Sequence, residues 1–222
     1  MLRLLLGEKI ILWGASVQSR EPGQVHPWHT DIETSRTDMR SVSVWIGIEN
    51  TSCDSSLQLI SGSHRLGCTV QEVVQQNGPR RGEASAQMIE AWAKEIDCSA
   101  RLVKPDMTDG EGIIYDGRMW HGSKNSRPEG KRAAVLLQYA AADELISLPD
   151  LSQLEWPFRF QPEPPPVLMI SGTAELREAA EDHDRQIIRY AKSSRSRPRH
   201  ELFRNGRGTH GQQCSFAPHK NR

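Results

Sequence analysis

Between residues 41 and 48 the side chains alternate without a break. Val42, Val44, Ile46 and Ile48 fall on one face of an extended chain, and Ser43, Trp45 and Gly47 on the other. A strand turns successive side chains to opposite sides of its pleat, whereas a helix would scatter these residues around its axis. The period of two therefore predicts a strand with two unlike faces. The aliphatic face is expected to pack on a second layer and the face of small residues with one tryptophan to line a cavity. A second face that simply meets water is the alternative. Further strand signals lie at 10–13, 57–60, 100–103, 112–115 and 133–139, divided by turn sequences such as Glu21-Pro22-Gly23 and Ser61-Gly62-Ser63-His64. One internal segment, 84–97, carries helical spacing, with Met88, Ile89, Trp92 and Ile96 three or four residues apart. Many short strands, their turns and one internal helix predict a mainly β fold, an antiparallel barrel or double-sheet jelly roll with a few flanking helices.

The 222 residues suffice for one domain with a sizeable core. A hydrophobic content of 36% and a mean hydropathy of −0.60 imply that part of the length is not core. The charge separates along the chain: 189–222 holds nine Lys/Arg and one acid, net +8, against 19 Lys/Arg and 27 acids, net −8, in 1–188. Pro162, Pro164, Pro165 and Pro166 cannot occupy a central strand, and an extended segment laid over the barrel is expected there. The reading is a β domain over 1–172, a polar helix over 173–192 and a basic, disordered tail over 193–222. Phe203, Phe216 and Tyr190 are the aromatic residues of that basic stretch, too few for a stacking surface, so a solvated tail is favoured over nucleic-acid binding. Cys53, Cys68, Cys98 and Cys214 form no CxxC pair, which speaks against a zinc module or a disulfide framework. The apolar run at Met1-Leu2-Arg3-Leu4-Leu5-Leu6 is too short for a membrane span or a signal-peptide core. Together these point to a cytoplasmic protein with no membrane partner; the oligomeric state is left open.

Two short segments carry the chemistry. Trp28-His29-Thr30-Asp31 and Trp120-His121-Gly122-Ser123 place two histidines 92 residues apart, and Arg132 follows eleven residues after the second. His29 and Asp31, two apart on an extended chain, share a face and can reach one ion. The pair alone is a weak sign, because a histidine near an acid is common on surfaces. His121, after the strand at 112–115 and the turn at Asp116-Gly117, is expected where a second hairpin returns to the barrel mouth. Two imidazoles and one carboxylate with open positions are the donor set of a mononuclear non-heme iron(II) oxygenase. Arg132 opens a strand whose Ala134, Leu136 and Gln138 share its inward face. A guanidinium among small and polar neighbours needs an anion. The far carboxylate of 2-oxoglutarate suits it, gripped by two parallel hydrogen bonds, and an internal ion pair is the alternative.

Residues 24–31, Gly62-Ser63-His64 and His121-Gly122-Ser123-Lys124-Asn125 running on to Arg132 resemble, in this order, the phytanoyl-CoA dioxygenase family of iron(II)/2-oxoglutarate oxygenases; the likeness covers roughly 8–142. The resemblance implies a double-stranded β-helix, a cupin-like jelly roll. It implies His29, Asp31 and His121 as iron ligands, Arg132 and Ser123 holding the 2-oxoglutarate tail, and Trp45 beside that cosubstrate. His64 is read as shaping the pocket rim rather than as a ligand. The implied reaction is hydroxylation of an unactivated C–H bond of a small molecule by dioxygen, with release of succinate and carbon dioxide. A carboxylate at 31, where related halogenases have a small residue, favours hydroxylation over halogenation. Family members usually carry more elements ahead of the His-x-Asp strand than the 28 residues that precede His29. A cupin-like protein that binds metal or ligand without turnover is therefore the alternative.

Overall fold

A computed structural model of the chain describes residues 1–32, 36–78, 82–144 and 167–172. Two antiparallel sheets dominate. The larger has five strands in the order β6 (Gly112–Asp116), β3 (Ser41–Glu49), β8 (Arg132–Ala141), β1 (Ile10–Arg20) and β9 (Leu168–Ser171). The smaller has four, in the order β2 (Val25–His29), β7 (His121–Lys124), β4 (Leu57–Ser61) and β5 (Arg101–Val103). Consecutive strands are often not neighbours, because the chain repeatedly passes from one sheet to the other. This is the crossing pattern of a jelly roll.

The core between the sheets is built from alternate residues of the strands. Trp45, Tyr115, Ala134 and Leu136 from the larger sheet meet Leu57 and Leu59 from the smaller, with Met107 beside them. The alternating strand is present as β3, with its Ser43/Trp45 face turned inward as expected and its aliphatic face covered less than expected. Ser43 and Trp45 are the deeply buried side, at 1% and 0% exposure, whereas Ile48 on the aliphatic side is 53% exposed. The inner face must accommodate both a core and a polar site, so small and polar residues are selected there. Outside, Leu6 of the short helix α1 (Leu2–Leu6) together with Ile10 covers the Val42 end, and Val44 and Ile46 are partly buried.

Two helices cover the other side of the smaller sheet. Helix α3 (Ala86–Ile96) lies within the segment read as helical, and Ser85 caps it by accepting from the Met88 amide. Its buried stripe is Ile89 and Ala93, with Trp92 partly packed, while Met88 and Ile96 face outward. Helix α2 (Val70–Asn77) was not expected. Eight residues are too few for periodicity to be read, but Thr69 and Glu72 form a reciprocal capping box that starts the helix, and Gly78 with φ 86° ends it. Both helices bury Trp28, Ile60 and Trp120, which point away from the inner core because their neighbours in sequence point into it.

The connection before His121 also differs from the expected hairpin. Strands β6 and β7 belong to different sheets, and residues 117–120 carry the chain across the sandwich. The tight turn closed by Met119 N–H to Asp116 C=O at 2.8 Å begins that crossing. Among the described residues no helix is long and apolar enough to cross a membrane. The proline-rich segment, the polar helix at 173–192 and the basic tail at 193–222 lie outside the described residues.

Candidate metal centre

The crossing topology brings residues 92 positions apart side by side. Strand β2 pairs with β7 so that His29 lies opposite His121. Their rings are 4.2 Å apart, centroid to centroid, and tilted by 52°. Asp31 follows two residues later. One of its oxygens, Oδ1, lies 3.7 Å from Nε2 of His29 and 3.7 Å from Nε2 of His121. The three donor atoms are all within 4.8 Å of one another. Two donors each about 2.1 Å from an ion can be up to roughly 4.2 Å apart, so both pairs of 3.7 Å are short enough to share one ion. Gly122 permits the close approach of the two strands, because a Cβ there would lie 3.1 Å from the His26 carbonyl oxygen and 3.3 Å from the Trp28 ring.

Each donor is oriented from behind. His29 Nδ1 lies 2.8 Å from the Pro27 carbonyl and His121 Nδ1 lies 2.8 Å from the Met119 carbonyl. A carbonyl only accepts, so both Nδ1 atoms must donate; in the neutral rings both Nε2 lone pairs then face the cluster, that of His121 also lying 3.3 Å from the Tyr115 hydroxyl. The second Asp31 oxygen, Oδ2, accepts from the Ser43 hydroxyl at 2.6 Å and lies 3.3 Å from the Tyr115 hydroxyl. Oδ1 alone is thereby directed at the imidazoles. Burial, with the Asp31 charge beside it, pushes the Tyr115 phenol well above its ordinary value, so the hydroxyl keeps its proton and remains a donor. The peptide between the two ligands is clamped as well. Gln71 of α2 accepts from the Thr30 amide at 3.1 Å and from its hydroxyl at 3.2 Å, and donates to its carbonyl at 3.1 Å.

Beside this cluster lies a buried guanidinium, that of Arg132. Ser123 is two residues beyond His121 on β7 and therefore on the same face, roughly 7 Å along the strand. Its hydroxyl accepts from Arg132 Nη2 at 2.9 Å. Arg132 is completely buried, yet its Nε and Nη1 have no partner, and among the described residues no carboxylate lies within ion-pair distance of it. Burial, and to a lesser degree Arg20, pulls its pKa down to about 10. The guanidinium carbon sits 5.3 Å from the Trp45 ring centre, and the Trp45 indole N–H is buried without a partner. Such orphaned donors cost free energy unless a ligand takes them. Asn125 fixes the entry to β8, donating to the carbonyls of Arg20 and Gly130 at 3.0 Å each.

The structure thus brings together all six residues singled out by sequence, His29, Asp31, His121, Ser123, Arg132 and Trp45. His64 is not part of the donor cluster. Sequence reasoning missed Ser43, Tyr115, Gln71, Arg20 and His26. Ser43 could have been found, because it shares the cavity face of β3 with Trp45.

The sequence model of phytanoyl-CoA dioxygenase matches residues 6–134. No curated protein matches significantly. Solved structures similar to this chain include iron-bound EctD from S. alaskensis, at 26% identity over 67% of this chain and 50% of that one, with a TM-score of 0.44. The apo form of the non-heme monooxygenase ThoJ is 20% identical over 78% of this chain and 57% of its own, with a TM-score of 0.48. The epimerase SnoN in complex with Fe3+, alpha ketoglutarate and nogalamycin RO is 14% identical over 66% and 55%, with a TM-score of 0.45. The chain spans about half the length of the solved structures it matches.

Proposed function

This chain belongs to the phytanoyl-CoA dioxygenase family, and from that premise we propose that it is an iron(II)- and 2-oxoglutarate-dependent dioxygenase. Its reaction is hydroxylation of an unactivated C–H bond of a small-molecule substrate, with release of succinate and carbon dioxide. The observation that carries the reading is the convergence of His29 Nε2, His121 Nε2 and Asp31 Oδ1, each held in place by a partner on its far side. Two neutral imidazoles and one carboxylate on one side of an ion are the donor chemistry of a non-heme ferrous centre with open positions. Iron bound there supplies the activation of dioxygen, coupled to oxidative decarboxylation of the 2-oxo acid.

The remaining residues bind, orient and exclude water. Arg132 and Ser123 hold the distal carboxylate of 2-oxoglutarate, and the two free nitrogens of Arg132 are the donors it requires. The spacing of roughly 7 Å from His121 to Ser123 along β7 suits a five-carbon diacid, with its oxo-acid end toward the histidines. Trp45 closes the wall beside that carboxylate, and its indole N–H is a further donor within the site. Asp31 occupies the position that a halide would need, which favours hydroxylation over halogenation. Burial of Asp31, His121, Ser123 and Arg132 keeps bulk water from the reacting groups.

The test is anaerobic addition of ferrous iron and 2-oxoglutarate to the folded protein. A visible metal-to-ligand charge-transfer band is expected, and succinate release on admission of oxygen. Both are lost in His121→Ala. A folded, iron-loaded protein that shows neither band nor succinate removes the oxygenase reading.

A further inference from the structure

The anion seat holds a second arginine. Arg20 ends β1 opposite Arg132, and the two are Cα partners in the β1–β8 register. An inward-facing pair in that register places both side chains on the inner surface of the larger sheet. From there Arg20 reaches across to the smaller sheet, where its Nη2 lies 2.7 Å from His26 Nδ1. His26 is itself the Cα partner of Ser123, the residue that accepts from Arg132. Two arginine-centred pairs, Arg132–Ser123 and Arg20–His26, therefore stand next to each other across the same end of the sandwich. Arg20 Nη1 donates to the Ser19 carbonyl at 2.7 Å, and among the described residues Arg20 Nε, like Arg132 Nε and Nη1, is buried without a partner. Among the described residues neither guanidinium has a carboxylate within ion-pair distance.

Two adjoining guanidinium groups with three orphaned donors and, among the described residues, no counter-charge carry a free-energy cost. The cost is removed when an anion enters between them. A guanidinium has no acceptor, so the Arg20 bond obliges His26 Nδ1 to accept and leaves its ring hydrogen on Nε2. His26 also stacks on the metal-side histidine His29, with centroids 4.5 Å apart and rings within 10° of parallel. The Arg20–His26 pair is thus in contact with the anion seat on one side and with the donor cluster on the other.

We propose that the distal-carboxylate seat is a two-cation site, in which Arg20 is a second anion-binding residue, held in place by His26, and which accepts dianions such as sulfate as well as the tail of a dicarboxylate. This rests on the assignment of Arg132 and Ser123 to the cosubstrate tail made above. It adds a charge that the sequence motif around Arg132 does not contain.

The test uses metal-free protein, so that chelation by the oxo-acid end plays no part. Glutarate and sulfate are titrated against tryptophan emission, with Trp45→Phe identifying the share of the signal that comes from the seat. Saturable binding is expected in the wild type, with chloride at equal ionic strength as a control. Arg20→Gln weakens both anions about tenfold or more, Arg20→Lys restores most of the loss, and Arg132→Gln also weakens both. In the iron-loaded protein, Arg20→Gln raises the KM for 2-oxoglutarate while kcat is kept, a split that general loosening of the fold would not produce. Wild-type anion affinity in Arg20→Gln with loss in Arg132→Gln overturns the second cation and leaves the cosubstrate anchor standing. Wild-type affinity in both variants, or no saturable response from folded wild type, overturns the anchor as well.

Discussion

Replacing Ser43 by alanine removes a single oxygen atom and with it the 2.6 Å hydrogen bond to Asp31 Oδ2. Ser43 and Asp31 are exposed by only 1% and 7%, so bulk solvent does not supply a substitute donor. A hydroxyl bound to a carboxylate is a charge-assisted bond, worth about 1.5–3 kcal/mol. If that energy serves to aim Oδ1 at the metal, its loss lowers ferrous affinity roughly 10- to 100-fold, at about 1.4 kcal/mol per tenfold. Tyr115→Phe removes the longer contact of 3.3 Å to the same oxygen, together with an equally long one to His121 Nε2, and is expected to cost less, about threefold to tenfold. Because both donors serve one atom, either can hold the carboxylate while the other is missing. The double variant should therefore lose more than the product of the two single effects. The assay is anaerobic titration with ferrous iron against a competing chelator, paired with a melting curve that checks each variant is folded. Wild-type iron affinity in folded Ser43→Ala would refute the claim that Asp31 is oriented through its second oxygen.

Asp31→Ala is expected to abolish hydroxylation, and full activity in that variant would take Asp31 out of the ligand set. Arg132→Ala should raise the 2-oxoglutarate requirement by about 10- to 100-fold while sparing iron affinity, as measured by succinate release across a cosubstrate series. Gln71→Ala leaves the Thr30 amide and carbonyl without their clamp. Destabilisation of about 1–3 kcal/mol is expected, seen as a lower Tm and weaker iron binding; an unchanged iron affinity would show that the Thr30 peptide holds its place unaided. Trp120→Ala, at the centre of the cluster under α2 and α3, should cost about 3–5 kcal/mol in denaturant unfolding, and a loss below 1 kcal/mol would mean that the surrounding core collapses into the gap.

The parts of this fold that could be read from sequence are those whose signal is local. Period two is written into residues 41–48, and the strand is there. Helical spacing is written into 84–97, and α3 lies within it. The cavity-lining face was legible, but how far the aliphatic face would be covered was not, because that depends on what packs against the outside of the sheet. The Ser43/Trp45 face of β3 lines the interior, as its small residues and one tryptophan suggested, whereas the aliphatic face is covered at its Val42 end and open at Ile48. Helix α2 was hidden for a different reason. Its evidence is a cap, Thr69 with Glu72, rather than a repeating stripe, and a cap pattern without an apolar run is easily passed over.

The site divides along the same line. His29 with Asp31, and His121 with Ser123, are pairs two apart, so each pair shares a face whatever the topology, and Arg132 opens a strand of its own. The residues that orient the donors come from elsewhere in the chain: Ser43 is 12 positions from Asp31, Tyr115 is 84 from it, and Gln71 is 41 from Thr30. No spacing rule links such residues. They meet because β3, β6 and α2 are packed around the end of β2. Arg20 is the sharpest case. In sequence it stands just before the Glu21-Pro22-Gly23 turn, and nothing local marks it out. In the fold it lies opposite Arg132, with His26 as its partner and, among the described residues, no carboxylate within ion-pair distance. A charge gains its meaning from its neighbours, and which neighbours it has is a property of the packed molecule rather than of the local sequence.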